Sequence, residues 1–409
     1  MVANQPEQAV ILVGGLGSRL GAITAQTPKP LLDVGGRVFL DYLVEELGRQ
    51  GCRKILLLAQ FESDQVLAYG RESKIVARFG IKVEVAVEPH KAGTGGALWH
   101  ARDKLDPHFW LLNGDSWLEA NLLALAMAPP TDNWDAVAMV RSVPDSARYG
   151  CVDFDGLHIK SFGTLGTQGK PGLINGGVYL MRRSLVDKMA SDCSLEHDIL
   201  PNVARDGRLL GIEAKGYFID IGVPNSLAEA RSELPTRFRR QALFLDRDGV
   251  INVDKGYVGT IDRFEWMPGA IEAIKHANDK GYLVFVVTNQ AGVAKGFYTE
   301  PDVEAVHAHM QHVLRQNGAH IDAFRYCPHH PEGIVAEYTQ TSDWRKPNPG
   351  MLLDIIEEWS INVAASLLIG DQDTDLIAAK GAGIAGFKYS GHQPLHAFMA
   401  GIWDSHRVC

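Results

Sequence analysis

The sequence predicts an α/β fold in two domains, each a doubly wound, Rossmann-like sheet. Three observations predict it. Short apolar runs alternate with helix-like stretches along the chain; a polar, basic stretch around Ser232 to Gln241 interrupts the alternation, which then restarts; and 409 residues exceed what one core ordinarily fills.

In the first half the apolar runs fall at residues 9–13, 55–59, 83–87, 110–112 and 136–140. Strands alternating with helices imply crossovers and a mostly parallel sheet covered on both faces. After the break come a strand at 242–245, a helix over about 268–280, a strand at 283–287, a helix over 301–317 and a strand at 366–369. The expected organisation is therefore a domain at 1–233, a linker at 234–241 and a domain at 242–409. The halves share no motif, which indicates a fusion of unlike domains and not an internal repeat.

Composition narrows the function classes. With 46% hydrophobic and 22% charged residues the chain reads as globular. A formal charge of -9 argues against a broad nucleic-acid or anionic-membrane surface. No apolar run reaches the roughly 20 residues of a membrane span. The polar residues 1–8 lack the pattern of a signal peptide, and Cys52, Cys151, Cys193, Cys327 and Cys409 fit free thiols, so a cytoplasmic protein is expected. A homo-oligomer is left open.

The first half carries Gly14-Gly15-Leu16-Gly17-Ser18-Arg19-Leu20 directly after its first strand. Glycines there let backbone N–H groups approach an anion, and Arg19 and Lys29, in Thr27-Pro28-Lys29-Pro30-Leu31, add positive charge. The pattern is neither the dinucleotide G-x-G-x-x-G nor the P-loop. It resembles the signature of sugar-1-phosphate nucleotidylyltransferases. Three later segments fit in order: Glu88-Pro89 with Gly93-Thr94-Gly95-Gly96-Ala97-Leu98, then Leu112-Asn113-Gly114-Asp115, then Phe218 to Pro224 with Asp220. The resemblance implies the nucleotide-diphospho-sugar transferase fold. It further implies nucleotide binding by Gly14, Gly15, Gly17, Ser18, Glu88, Gly93, Thr94 and Gly95, catalytic cations at Arg19 and Lys29, and Mg²⁺ held by Asp115 and Asp220. Two carboxylates far apart in sequence but both at strand ends can meet at one hard cation.

Asn175-Gly176-Gly177 and Ser194-Leu195-Glu196 resemble that family's sugar-reading segments, with Asn175, Gly176 and Glu196 as substrate contacts. One departure stands out. Where relatives commonly carry a Glu-Lys pair, this chain has Ser161 to Leu165 with Thr164-Leu165, leaving Lys170 or Lys160 to meet the sugar phosphate. The Gly93 to Leu98 loop resembles guanylyltransferases acting on mannose- or heptose-configured sugars, so GTP is the expected nucleotide.

The second half opens with Asp246-Arg247-Asp248-Gly249 after a buried-looking strand. Facing a phosphoester, Asp246 can attack phosphorus while Asp248 protonates the leaving oxygen. Asp371, in Gly370-Asp371-Gln372-Asp373-Thr374-Asp375, completes a Mg²⁺ site with Asp246 and Asp248; Thr288-Asn289-Gln290 supplies a hydroxyl, and Arg345-Lys346-Pro347 a charge for the phosphoryl group. These segments resemble the haloacid-dehalogenase superfamily, and within it heptose-1,7-bisphosphate 7-phosphatases. The resemblance implies a haloacid-dehalogenase fold, catalysis by Asp246, Asp248, Thr288 and Lys346, and substrate contacts at Asn289 and Arg345.

Relatives with the Cys327-Pro328-His329-His330-Pro331 segment often complete a zinc site with C-x-C before R-K-P, where this chain has Ser342-Asp343-Trp344. Cys327 and His329 are two ligands short of a structural site unless His330 and Asp343 serve, and zinc is expected to be absent. His307, His309 and His312, at helical spacing, read as a solvated face.

Together the halves imply a bifunctional enzyme that removes the 7-phosphate of D-glycero-D-manno-heptose 1,7-bisphosphate and joins heptose 1-phosphate to GTP, giving GDP-heptose and pyrophosphate. The alternatives are a mannose-1-phosphate guanylyltransferase fused to a phosphatase for another small phosphoester such as histidinol phosphate, and a nucleotide-sugar-sensing scaffold with a decayed transferase site.

Overall fold

The computed structural model describes residues 5–15, 18–127, 129 and 132–405, except for the side chains of 18, 164, 165, 404 and 405. The chain divides into two compact units, Met1–Thr236 and Arg237–Cys409. Among the described residues no helix is long and apolar enough to cross a membrane.

In the first unit the strand Gln8–Leu12 pairs in parallel with Lys54–Ala59 on one side and His108–Asn113 on the other. Lys54–Ala59 continues in parallel to Lys82–Val87. The chain therefore leaves Gln8–Leu12 one way and returns on the other, creating a switch point where strand ends part and ligands bind in doubly wound sheets. Ala9, Val10 and Ile11 are fully buried, as a central strand requires.

The expectation of a mostly parallel sheet is corrected beyond this point. Gly172–Arg182 runs antiparallel to His108–Asn113, Ala136–Val143 and Gly150–Phe154, making a mixed nine-stranded sheet. The long strand Gly172–Arg182 contains Asn175-Gly176-Gly177, which the sequence offered as a sugar-reading segment with no strand assigned to it. A separate two-stranded ribbon pairs Ser116–Leu118 with Phe218–Asp220, bringing Asp220 opposite Ser116.

The second unit has a five-stranded, all-parallel sheet in the order Ala323–Cys327, Leu283–Asn289, Ala242–Leu245, Leu367–Gly370, Ala385–Lys388. Its switch point lies at Ala242–Leu245, whose four residues are all fully buried. The helix Ala270–Asp279 buries Ala270, Ala273, Ile274 and Ala277, an i, i+3, i+4, i+7 stripe. The helix Glu300–Gln316 starts from a Thr299/Asp302 capping box with Pro301 in its first turn. His307 on this helix is not on a solvated face: it is buried and its ring stacks on Phe324 at 4.5 Å. Helical spacing alone could not tell the core side from the wet side.

The stretch 234–241 is also revised as a linker, because the helix Pro224–Arg237 runs into it with Leu234 buried. Pro235 packs so closely on Gly35 (φ 67°) that a Cβ there would stand 2.1 Å from its Cγ.

Candidate functional sites

At the first switch point the chain after Gln8–Leu12 turns at Gly14, where a Cβ would lie 3.1 Å from Glu88 Oε1 and 3.2 Å from Gln60 Cβ. Across the sheet Gly114 donates its N–H to Leu12 C=O, and a Cβ there would stand 2.4 Å from that oxygen. Both glycines are thus close-approach residues that open a cavity of about 250 Å³. Gly14, Gly15, Lys29, Glu88, Gly93, Thr94, Asp115 and Glu196 all line it, together with Lys91, a cation the sequence reading did not single out. Leu12, Leu58 and Ala97 give it apolar wall.

Lys29 is held by the short turn Lys29–Leu31 between two prolines, and its buried Nζ lies 3.0 Å from Asp115 Oδ2. Thr94 Oγ1 donates to Glu196 Oε2 at 2.8 Å and accepts from the Leu195 N–H at 2.8 Å, tying the start of the helix Gly93–His100 to the 194–196 segment. Burial raises the Glu88 carboxyl above its usual range, while the Ala92 N–H and His90 act against that shift.

Other candidates are placed differently. Gly95 is off the cavity wall: its N–H donates to Cys193 C=O at 3.0 Å, and a Cβ would meet Cys193 Sγ at 2.6 Å, so its smallness serves chain packing. Asn175 bonds Tyr179 Oη and the Gly177 N–H, and Gly176 is pressed against Met139 C=O; both stabilise the irregular strand instead of lining the cavity. Asp220 sits beside Asp115 through the Ile221 N–H, which donates to Asp115 C=O at 2.8 Å. Its carboxylate accepts from Arg148 at 3.1 Å and from Tyr149 Oη at 2.7 Å, two residues the sequence reading passed over. Arg19 is exposed and points toward the same corner, with Nη2 3.6 Å from the Cβ position of Gly222. Lys160 is engaged by Asp155 at 3.2 Å. Gly17, the Ser18 side chain and the Thr164-Leu165 side chains lie outside the described residues.

At the second switch point Asp246 follows Ala242–Leu245 with its N–H bonded to Ile369 C=O. Asp246, Asp371 and Asp375 bring carboxylate oxygens within 4.8 Å of one another. Gly249 (φ 83°) is required here, since a Cβ would fall 2.6 Å from Asp371 Oδ2; at Gly370 it would fall 2.2 Å from Asp375 Cβ. Lys346 reaches in with Nζ 2.9 Å from Asp246 Oδ1 and donates to Val287 C=O at 2.9 Å. Burial pushes the Asp246 carboxyl up to about 7 against the pull of Lys346, with Asp375 adding to the rise.

The Asp248 carboxylate, expected among the metal ligands, is turned elsewhere. It accepts from Asn252 Nδ2 at 2.9 Å, Gln290 Nε2 at 2.9 Å and Arg247, and Asp375 takes its place in the cluster. Asn289 uses its amide on the Lys346 backbone, accepting from its N–H and donating to its C=O at 3.0 Å each, and so positions the lysine. Thr288 is buried and accepts from Gln290. Arg345 donates to His329 C=O at 3.4 Å.

Cys327 is buried at the end of the strand Ala323–Cys327. Its Sγ lies 3.9 Å from His329 C=O, His329 Nδ1 bonds Gln340, and His330 Nδ1 accepts from the Glu332 N–H. Cys52, Cys151, Cys193 and Cys327 are free thiols; Cys409 lies outside the described residues.

Against known proteins, the nucleotidyl transferase family model matches residues 8–237, and the HAD-hydrolase-like model matches residues 343–390. A D-glycero-beta-D-manno-heptose-1,7-bisphosphate 7-phosphatase of Rhodopseudomonas palustris is 50% identical over 153 residues, 37% of this chain and 85% of that protein. Its Escherichia coli K12 counterpart is 46% identical over 143 residues, 35% of this chain and 75% of its own length. HddC from Yersinia pseudotuberculosis is similar in structure with a TM-score of 0.50 and 31% identity, covering 56% of this chain and 99% of that one, and was also solved in complex with GMP-PN.

Proposed function

The chain belongs to the nucleotidyl transferase family in its first half and to the heptose-1,7-bisphosphate 7-phosphatases in its second, and from that premise we propose two consecutive reactions of heptose activation. The phosphatase unit removes the 7-phosphate of D-glycero-D-manno-heptose 1,7-bisphosphate. The transferase unit then joins the heptose 1-phosphate to the α-phosphate of GTP, releasing pyrophosphate and GDP-heptose. What carries this reading is the pairing in one polypeptide of a half 50% identical to a heptose bisphosphate phosphatase with a half 31% identical to a protein solved with GMP-PN.

In the phosphatase unit an Asp246 oxygen attacks phosphorus as the bond to the sugar oxygen breaks, and Asp248 gives that oxygen a proton. Asp248 then takes a proton from the water that hydrolyses the aspartyl phosphate, restoring Asp246. Lys346 opposes the rise that burial imposes on the Asp246 carboxyl and faces the transferring phosphoryl oxygens. In the transferase unit Lys29 and Lys91 offset the charge of the two approaching phosphates, and Thr94 and Glu196 bridge the nucleotide and sugar sides of the cavity.

The donor chemistry fits Mg²⁺ in both units: Asp246, Asp371 and Asp375 in one, Asp115 and Asp220 in the other. When bound, the ion supplies charge neutralisation at phosphate oxygens. The test is incubation of the purified chain with heptose 1,7-bisphosphate, GTP and Mg²⁺. Phosphate and pyrophosphate should appear in equal amounts with GDP-heptose, identified by mass spectrometry. Phosphate release without a nucleotide sugar from any triphosphate would remove the second reaction from the reading.

A further inference from the structure

Arg247 stands between Asp246 and Asp248 with no part of its side chain exposed. A charge taken out of water is costly unless it is well paired. Yet a single nitrogen carries all the bonds of this side chain: Nη2 lies 3.2 Å and 3.1 Å from the two carboxylate oxygens of Asp248, donates to Gln290 Oε1 at 3.0 Å, and donates to Val258 C=O. Nε and Nη1 are buried without a partner among the described residues. A guanidinium so placed is a weak stabiliser of the fold, and what its bonds do determine is the direction of Asp248.

Gln290, 1% exposed, extends the same control. Its Oε1 accepts from Arg247 and from Tyr298 Oη at 2.7 Å, and with the oxygen fixed the amide has one orientation. Nε2 therefore faces Asp248 Oδ2 and Thr288 Oγ1, donating to each at 2.9 Å. Because Thr288 accepts there, its own hydroxyl proton is left to donate to a phosphoryl oxygen. On the other side the buried Asn252 gives its Nδ2 to Asp248 Oδ1 at 2.9 Å. Each Asp248 oxygen thus has its own amide donor, Arg247 spans both, and the carboxylate is fixed outside the cluster of Asp246, Asp371 and Asp375.

We propose that Arg247 is a positioning residue: directly and through Gln290 it keeps Asp248 apart from the metal-binding carboxylates and aimed for its two proton transfers. The inference rests on the phosphatase reading above and deepens it by naming what separates the roles of the two aspartates. Its consequence differs between the two halves of the reaction. In the first, an Asp246 oxygen bonds to phosphorus, the bond from phosphorus to the leaving oxygen breaks, and a sugar oxygen must take a proton from Asp248. A p-nitrophenolate leaves without one. In the second half water bonds to phosphorus, its proton passes to Asp248 and the Asp246 carboxylate departs, whatever the first leaving group was.

The experiment compares the intact chain with its Arg247→Met and Gln290→Glu variants on heptose 1,7-bisphosphate and on p-nitrophenyl phosphate, by steady-state and rapid-mixing kinetics, with thermal unfolding of each as the check on folding. Gln290→Glu keeps the size of the side chain and turns the donor facing Asp248 into an acceptor, so it carries the test should Arg247→Met fail to fold. Either folded variant should lose about 10²-fold or more in kcat on heptose 1,7-bisphosphate, the size of a general acid–base contribution, with KM nearly unchanged. On p-nitrophenyl phosphate it should keep a fast burst of about one equivalent of p-nitrophenolate per chain, followed by slow turnover as the aspartyl phosphate accumulates. A folded variant that lost the burst together with turnover, or one with wild-type kcat on the heptose substrate, would overturn the positioning role. A wild-type chain that released phosphate from neither substrate would overturn the phosphatase reading itself, and this role with it.

Discussion

Lys346 Nζ lies 2.6 Å from Asp375 Oδ1, both side chains almost completely buried. The same ammonium touches Asp246, so one cation serves two carboxylates, and burial alone would drive such a cluster toward its neutral form. Removing the cation strands the carboxylates, the situation in which a buried ion pair is costly to break.

Lys346→Met should therefore cut phosphate release by about 10²–10³-fold, the size of losing one oriented charge at a reacting oxyanion. It should also lower the unfolding free energy of this unit by about 3 kcal/mol or more. Nucleotidyl transfer from supplied heptose 1-phosphate should continue. Stopped phosphate assays and urea titrations measure the two effects; a variant as active as wild type would remove Lys346 from the chemistry.

Independent sites predict a reciprocal pair of losses. Asp246→Asn should abolish phosphate release and leave pyrophosphate release from heptose 1-phosphate and GTP intact. Asp115→Ala should do the reverse, because it removes the partner of Lys29 and one oxygen donor of the transferase cleft. Pyrophosphate release retained by Asp115→Ala would exclude that aspartate as a metal ligand.

How far the sequence reaches is visible at these residues. Asp246, Lys346 and Asp371 were legible because each ends a short apolar strand or abuts a recognisable motif, and parallel strands deliver their C-terminal ends to one edge. Asp375 was not: it sits on the first turn of the helix Asp373–Gly381, where an acidic residue reads as a dipole partner or cap, and it does bond the Gln372 N–H. Asp248 was legible as chemistry but not as geometry, since the Arg247 and Gln290 side chains that turn it are fixed only by tertiary packing. Arg148 and Tyr149 gave no signal at all, their meeting with Asp220 depending on a contact 71–72 residues away. The antiparallel half of the first sheet was lost for a related reason, as its glycine-rich middle imitates a loop.

His307 gives a pH prediction. Burial, helped by the Arg247 charge, lowers its imidazole to about 3. A folded pKa below the unfolded one means that the unfolded chain binds the extra proton, so stability is full above about 6.5 and falls as the pH drops toward 3. The slope from this residue is at most about 1.4 kcal/mol per pH unit. His307→Phe, which keeps the stack on Phe324, should flatten the acid limb of this unit's unfolding curve between pH 6 and pH 4. Calorimetry on both proteins across that range checks it, and parallel curves would show that His307 does not titrate on unfolding.

The nucleotide preference follows from the first cavity. Guanine presents a carbonyl acceptor beside N–H donors, including an exocyclic amino group that thymine lacks, and a site whose buried polar groups pair with one edge rejects another by leaving those groups unmade. Glu88 places a carboxylate on the cavity wall, where the absence of a side chain at Gly14 lets it approach, and Gly93 and Thr94 bring backbone near the same wall. GTP should exceed dTTP, UTP and CTP by at least about tenfold in kcat/KM, on the order of 1.4 kcal/mol of transition-state discrimination. ATP is the stricter competitor, because a purine fills the same apolar walls of Leu12, Leu58 and Ala97. If Glu88 accepts the guanine amino group, Glu88→Ala should narrow the gap between GTP and ATP and leave the smaller pyrimidine rates nearly unchanged. Steady-state kinetics with each triphosphate and heptose 1-phosphate decide the matter: turnover with ATP or dTTP equal to that with GTP would overturn the guanylyl assignment and leave nucleotidyl transfer standing.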